Sequence, residues 1–333
     1  MKHPEYITNN AKIIYIAPSF GATFDPYLSR YNASKKNLMK MGYQVSDGEN
    51  VHLEIGVASS NTPQKRAEEF FNAYNSDNDV LLSTGGGELM NEILPFIDFE
   101  TIKEMKPKWF VGYSDNTNLT FTLTTLANVV TIYGPCGTTY YEKPIRLSEK
   151  NTLLMLHGEK HFEGYKKFSS EVNDKDNPFH RLELRKRKII VPFNYTNPFS
   201  GLLLGGCLDC LLNLCGTRFD NVKNFVSQHE KIVWFLEACD LNPLSIRRGL
   251  FQLKEAGWFK NASGFIFGRP LCMNKNMMGV DKFNAVTDIL SDLNVPILLD
   301  CDLGHIPPVL PMKCGAEVKV SFKDSNLIMD YID

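Results

Sequence analysis

The sequence predicts an α/β protein of two domains, and three observations carry that reading. Short apolar runs alternate with segments whose apolar positions recur at helical spacing, the pattern of strand–helix units. The first runs are apolar throughout and end at Pro or Gly, as buried strands of a parallel sheet do. The length, 333 residues, exceeds what one core usually organises, since single cores stop growing near about 250–300 residues.

Taken in order, residues 12–17 (KIIYIA) read as a strand closed by Pro18 and Gly21. Tyr27, Leu28, Tyr31, Leu38 and Met41 recur at roughly helical spacing, and Gly42 supplies the stop. Residues 43–45 form a second strand candidate. Residues 63–74 (PQKRAEEFFNAY) open with proline at a first helical position and carry Ala67, Phe70, Phe71 and Tyr74 on one face. Val80 to Leu82 make the next strand, Trp109 to Val111 another, and Val129 to Tyr133 a further one. Residues 1–145 are therefore the first domain. A polar stretch with little periodicity makes 146–188 a connector and possible lid, and 189–333 the second domain. There, strands are expected at 189–191, 231–236, 264–267 and 296–300, with a packed apolar segment at 201–215 and helices at 246–256 and 283–293.

Chemistry concentrates at four places. After Trp109-Phe110-Val111 the chain turns at Gly112-Tyr113-Ser114-Asp115 and enters a Thr/Leu-rich helix. A serine on such a turn stands clear of the sheet beside unpaired helix N–H groups, which makes Ser114 the candidate nucleophile. The pattern G-x-S-x-G is matched only in its first half, because Asn116 replaces the second glycine. The competing reading makes Ser114 or Asp115 a helix cap. Gly85, Gly86 and Gly87 follow a strand and expose backbone N–H groups. Parallel strand–helix units put this loop and the Ser114 turn at one sheet edge, so Gly86 or Gly87 and the Asp115 N–H are candidate halves of an oxyanion hole. Glu237 ends the apolar strand KIVWFL, where a buried carboxylate requires a partner. His305 lies between a glycine and two prolines in a stiff loop after a strand.

Other features read as structural. Cys207, Cys210 and Cys215 lie in an apolar segment without a second zinc-spaced pair and are assigned to core packing; the eight cysteines are expected to be reduced. Asp300, Asp302 and His305 offer a two-carboxylate metal reading that no ligand motif supports, so no metal or cofactor is expected. Arg181, Arg185, Lys186, Arg187 and Lys188 read as a solvated linker face. A net charge of −2 gives no field for nucleic acid or a membrane surface. The amino terminus reads as neither signal peptide nor membrane span, and a cytoplasmic protein is expected.

The triple glycine, GYSDNT at 112–117, FLEACD at 235–240 and DLGHIPP at 302–308 occur in one order. In that order the chain resembles the LD-carboxypeptidase family of serine peptidases, which includes the microcin C immunity proteins. The resemblance runs from KIIYIAPS to GHIPP and is weakest between about 145 and 195. It implies a Rossmann-like amino-terminal domain, a smaller β-rich carboxyl-terminal domain, an active site at their interface and a homodimer. It also implies a triad of Ser114, His305 and Glu237, in which His305 takes the serine proton and Glu237 orients the imidazole. The substrate class implied is a short peptide cut near its carboxyl terminus, the L,D-bond of a murein tetrapeptide. The alternative is a peptidyl-nucleotide of acyl-sulfamoyl or phosphoramidate type. Muropeptide-cleaving members carry an arginine and a tyrosine around the glycine loop, whereas this chain reads Ser83-Thr84-Gly85-Gly86-Gly87-Glu88. Immunity-type members stack a nucleotide base on a connector tryptophan, for which Phe179, Tyr195 or Phe199 would have to substitute. A non-catalytic binding module and an ordinary α/β-hydrolase are the remaining readings.

Overall fold

The computed structural model describes residues 1–169 and 177–332. These divide into two compact units, residues 1–159 with 177–183, and residues 160–169 with 184–332.

The first unit alternates strand and helix: β1 (Lys12–Ile16), α1 (Tyr27–Lys40), β2 (Gln44–Asp47), α2 (Pro63–Tyr74), β3 (Val80–Ser83), α3 (Phe99–Glu104), β4 (Trp109–Gly112), α4 (Thr117–Ala127), β5 (Thr131–Tyr133) and α5 (Leu147–Leu156). Its strands run β5-β4-β3-β1-β2, all parallel. Every residue of β3, β4 and β5 is buried, as expected of strands covered on both faces. α2 starts at Pro63 behind Thr62, whose hydroxyl accepts the Lys65 N–H. The strand order reverses between β1 and β3. Loops leaving such neighbours diverge at the carboxyl edge and open a crevice, where ligands of open α/β sheets bind.

The second unit contains β6 (His161–Glu163), β7 (Lys167–Phe168), β8 (Lys186–Arg187), β9 (Val191–Phe193), β10 (Phe199–Cys207), α6 (Leu208–Leu214), α7 (Val222–Ser227), β11 (Ile232–Glu237), α8 (Pro243–Glu255), β12 (Ala262–Gly268), α9 (Asn284–Leu290), β13 (Ile297–Cys301), β14 (Met312–Cys314), β15 (Glu317–Lys323) and β16 (Asn326–Tyr331). An eight-stranded sheet runs β6-β16-β15-β10-β11-β12-β13-β9. Its centre, β10 to β13, is parallel, while β15 and β9 join antiparallel on either side. The central strands are apolar and buried, and α8 packs Ile246, Leu250 and Leu253 inward.

The span 146–188, expected as a connector, carries more structure than a connector requires. α5 packs Leu153, Met155 and Leu156 into the first unit, and β6 adds an edge strand to the second by pairing with β16. Residues 170–176, part of the possible lid, lie outside the described residues. Among the described residues no helix is long and apolar enough to cross a membrane.

Candidate active site

Ser114 follows β4 in a 3₁₀ turn that leads into α4, and its φ is +64°. A left-handed serine is strained, and such strain persists only where surrounding contacts hold it. The contacts are visible. The Ser114 N–H donates to the Tyr133 hydroxyl at 3.0 Å. The Asn116 amide donates to Gly85 O at 3.0 Å and to Tyr113 O at 2.9 Å, tying the glycine loop to the turn. Asn116 thus does positional work where the second glycine of G-x-S-x-G would stand. Its side chain lies 2.5 Å from where a Gly112 Cβ would be, which fixes glycine there.

Asp115 points inward, 3% exposed. Its carboxylate accepts from the Ser19 hydroxyl at 2.6 Å, the Met90 N–H at 2.9 Å and the Asn118 amide at 2.9 Å. It therefore joins the loops after β1 and β3 to α4. It does not cap α4, and the residues that begin the 3₁₀ turn and α4 make no side-chain cap. The cap reading therefore falls away at Asp115. Burial pushes the Asp115 carboxyl up, partly offset by the Ser19 and Met90 hydrogen bonds.

The triple glycine lies against this turn. A Cβ on Gly86 would sit 3.3 Å from Ser114 Cβ and 3.4 Å from Ser114 Oγ, and one on Gly87 would meet Ser19 Oγ at 2.0 Å. Side chains here would crowd the serine or displace Ser19. Arg66, fully buried, braces the neighbouring loops by donating to Pro18 O at 2.9 Å and Leu89 O at 3.1 Å.

In the second unit, Glu237 ends β11 fully buried and meets the Nδ1 atom of His305 at 3.0 Å. The partner demanded by a carboxylate at a buried strand end is thus the histidine of the stiff loop. Gly304 makes the pairing possible: its φ is +99°, and a Cβ there would stand 2.7 Å from Glu237 Oε2. Burial disfavours the imidazolium, but the Glu237 charge and a hydrogen bond with the Cys239 thiol outweigh it, holding His305 well above its ordinary range.

The loop bearing His305 is anchored at Asp302, which is fully buried. Lys188 Nζ reaches Asp302 Oδ2 at 2.8 Å, Arg269 Nη2 reaches Oδ1 at 3.0 Å, and the Tyr165 N–H donates at 2.7 Å. Arg269 also lies over the Phe168 ring, 4.0 Å from its centroid. Asp300 pairs with Lys282. Both carboxylates of the metal reading are thus engaged by side-chain cations. The linker-face reading of the basic run needs correction at Lys188, which is 5% exposed because it neutralises Asp302, whereas Lys186 and Arg187 are exposed on β8. Sequence reasoning did not find Ser19, Cys239, Arg269 or the Asp302 network. The only signal was Lys188 closing a basic run against Ile189 and Ile190, and nothing in sequence distance announces its partner 114 residues away.

Of the aromatic residues proposed for base stacking, Phe199 is buried in β10, and the Tyr195 hydroxyl accepts the Phe322 N–H at 2.9 Å. Phe179 is 53% exposed beside Tyr141, with ring centroids 6.0 Å apart. Both line a cavity of about 360 Å³ together with Lys36, Lys143 and Arg181, and Arg30 lies 5.2 Å over the Tyr141 ring.

Comparison with known families matches residues 13–134 to the LD-carboxypeptidase N-terminal domain and residues 200–320 to the LD-carboxypeptidase C-terminal domain. The microcin C7 self-immunity protein MccF of Escherichia coli is 25% identical over 311 residues, covering 90% of this chain and 87% of that protein. A Bacillus subtilis protein named "Probable murein peptide carboxypeptidase" is 25% identical over 299 residues, covering 88% and 84%. The solved structure of MccF in complex with glutamyl sulfamoyl guanosine superposes with a TM-score of 0.85 at 21% identity, covering 99% of this chain and 98% of that one. That likeness shows a shared mixed α/β, two-domain fold.

Proposed function

This chain belongs to the LD-carboxypeptidase family, and from that premise we propose that it is a serine-type amide hydrolase acting near the carboxyl terminus of short peptides. The observation that carries the reading is the left-handed Ser114 on its strand-to-helix turn, with a glycine loop kept bare beside its hydroxyl. In the reaction, Ser114 Oγ attacks the scissile carbonyl and His305 receives its proton. The imidazolium, stabilised by Glu237 at Nδ1, then protonates the leaving amine. The backbone N–H of Asp115 and that of Gly86 or Gly87 receive the oxyanion. The Ser114 N–H is committed to Tyr133, which leaves the next amide along the chain as the donor of choice. The reading requires Ser114 and His305 to act on one substrate, so the two units function together.

The preferred substrate is a murein tetrapeptide, cut between an L-centre and a terminal D-residue, as the name of the Bacillus relative suggests. One observation favours a second reading. The cavity lined by Tyr141 and Phe179 beside lysine and arginine side chains suits an aromatic base and an anionic linkage, the chemistry of a peptidyl-nucleotide.

The test is digestion of an L,D-tetrapeptide and of a peptidyl-sulfamoyl adenosine by wild type and Ser114→Ala, followed by mass spectrometry. Release of terminal D-alanine, lost by at least about 10³-fold in the variant, is the expected result. Cleavage of the adenosine conjugate alone would transfer the protein to the second reading. Turnover that survives Ser114→Ala would overturn the nucleophile assignment.

A further inference from the structure

Cys207 and Cys210 were assigned by sequence to core packing, and their placement argues for more. Cys207 is the last residue of β10 and the N-cap of α6; Cys210 is the third residue of that helix. Side chains at the N-cap and at the third helical position lie next to each other, which is why they exchange hydrogen bonds in capping boxes. Here both are cysteines and the two thiols are hydrogen-bonded, an interaction that with burial pushes the Cys207 thiol well up. Cys207 is 2% exposed, while Cys210 is partly exposed and open to a reagent.

A chain of short contacts connects the pair to the His305–Glu237 couple. Cys207 is the register partner of Glu237 on the neighbouring strand. The Cys207 thiol contacts Asp209 Oδ2 at 3.4 Å, and the Asp209 carboxylate accepts the N–H groups of Cys239 at 3.0 Å and Asp240 at 2.9 Å. The Cys239 thiol is in turn hydrogen-bonded to His305.

We propose that Cys207 and Cys210 form a reversible disulfide, a modification site at which small-molecule disulfides control the His305–Glu237 pair. Cys210, as thiolate, attacks one sulfur of the reagent; a Cys210 mixed disulfide forms and one small thiolate leaves. Cys207 then gives up its proton and attacks the Cys210 sulfur, expelling the second small thiolate. Two protein S–H bonds and one reagent S–S bond are lost, one protein S–S bond is gained, and two electrons and two protons leave with the two small thiols. Closing the bond draws the Cys207 sulfur from Asp209, loosening the segment that carries Cys239 against His305. The effect on turnover rests on the hydrolase reading above; the disulfide itself does not.

The full-length protein is equilibrated with graded mixtures of reduced and oxidised glutathione, and remaining thiols are alkylated. Peptide mapping is expected to show a Cys207–Cys210 link with loss of two hydrogens. Turnover is expected to fall at least fivefold in step and to return with dithiothreitol. Cys210→Ser is expected to keep the reduced rate within about twofold and to lose the redox response, while Cys215→Ser retains it. The His305 ring-proton NMR signal, assigned with His305→Gln, is expected to shift on oxidation, which reads the coupling even if no substrate is turned over. A stable glutathione adduct on Cys210 without the internal link would overturn the site. A formed link that moves neither the rate nor the His305 signal would overturn the control.

Discussion

The Ser114 turn and the His305 loop each fix one side chain of the proposed triad, by opposite means. At the turn, the buried Asp115 carboxylate gathers three neutral donors, from Ser19, Met90 and Asn118. At the loop, the buried Asp302 carboxylate gathers two cations, Lys188 and Arg269, and His305 itself sits against Glu237. Neutral donors satisfy a carboxylate without balancing its charge, so burial still raises Asp115. Charged partners balance the charge but become costly if left alone. The two regions should therefore answer differently to substitution and to pH.

The largest difference is expected in catalysis. Glu237→Gln keeps the size of the side chain and removes its charge, and should lower kcat/KM by about 10²–10⁴-fold. In the proposed mechanism His305 must lose its proton before it can act as a base, and it is held above the ordinary imidazole value of about 6.5. Activity should accordingly rise with pH through an acidic limb above that value, and Glu237→Gln should move the limb to lower pH. The stability that His305 contributes is present below about 6.5 and lost as pH rises through its folded value, so the variant's deficit should be greatest on the acid side. Ser19→Ala removes one neutral donor from Asp115 and should cost less than about tenfold in rate. Equal losses in pH–rate profiles of the two variants would erase the contrast.

Next in size comes stability. Asp302→Ala leaves Lys188 and Arg269 buried without their counter-charge, a loss of about 3–5 kcal/mol. Asp115→Ala leaves the Ser19 hydroxyl and the Met90 N–H without this acceptor, while the Asn118 amide keeps its bond to Asp115 O at 2.9 Å, a loss of about 1–3 kcal/mol. Urea denaturation of both variants beside wild type measures the difference, and a milder effect at Asp302 would mean that water reaches Lys188 and Arg269.

The same contrast explains what could be read in advance. Most of the parallel strands were legible because each is a continuous apolar run with a punctuating Gly or Pro, and the 63–74 helix was legible from its proline and apolar face. The places of Ser114, Glu237 and His305 were legible because each ends or follows such a run, and the proposed triad is built on those places. Their supports were not. Asp115 looked like a cap since sequence shows its neighbours along the chain, whereas its donors Ser19 and Met90 arrive from other loops. Lys188 looked solvated because a charge run hides the one member that turns inward. The hairpin of β15 and β16 lay beyond the reading, although EVKVSFK alternates as a half-buried strand should and Asp324 and Ser325 both take positive φ at its turn.

The smallest expected effect tests the unbalanced charge directly. The raised Asp115 carboxyl has a folded value above the unfolded value of about 3.9. Below the unfolded value it is protonated in both states, and its contribution is fully present; as pH rises through the folded value the native state must ionise a buried group, and that contribution is lost. Asn in its place never ionises. Asp115→Asn should therefore be at its worst relative to wild type near pH 4 and recover as pH rises, with urea midpoints converging between about pH 4 and pH 8. A deficit that stays constant over that range would mean that Ser19, Met90 and Asn118 stabilise the ionised carboxylate as fully as cations would, and the distinction between the two regions would then lie in geometry rather than in charge.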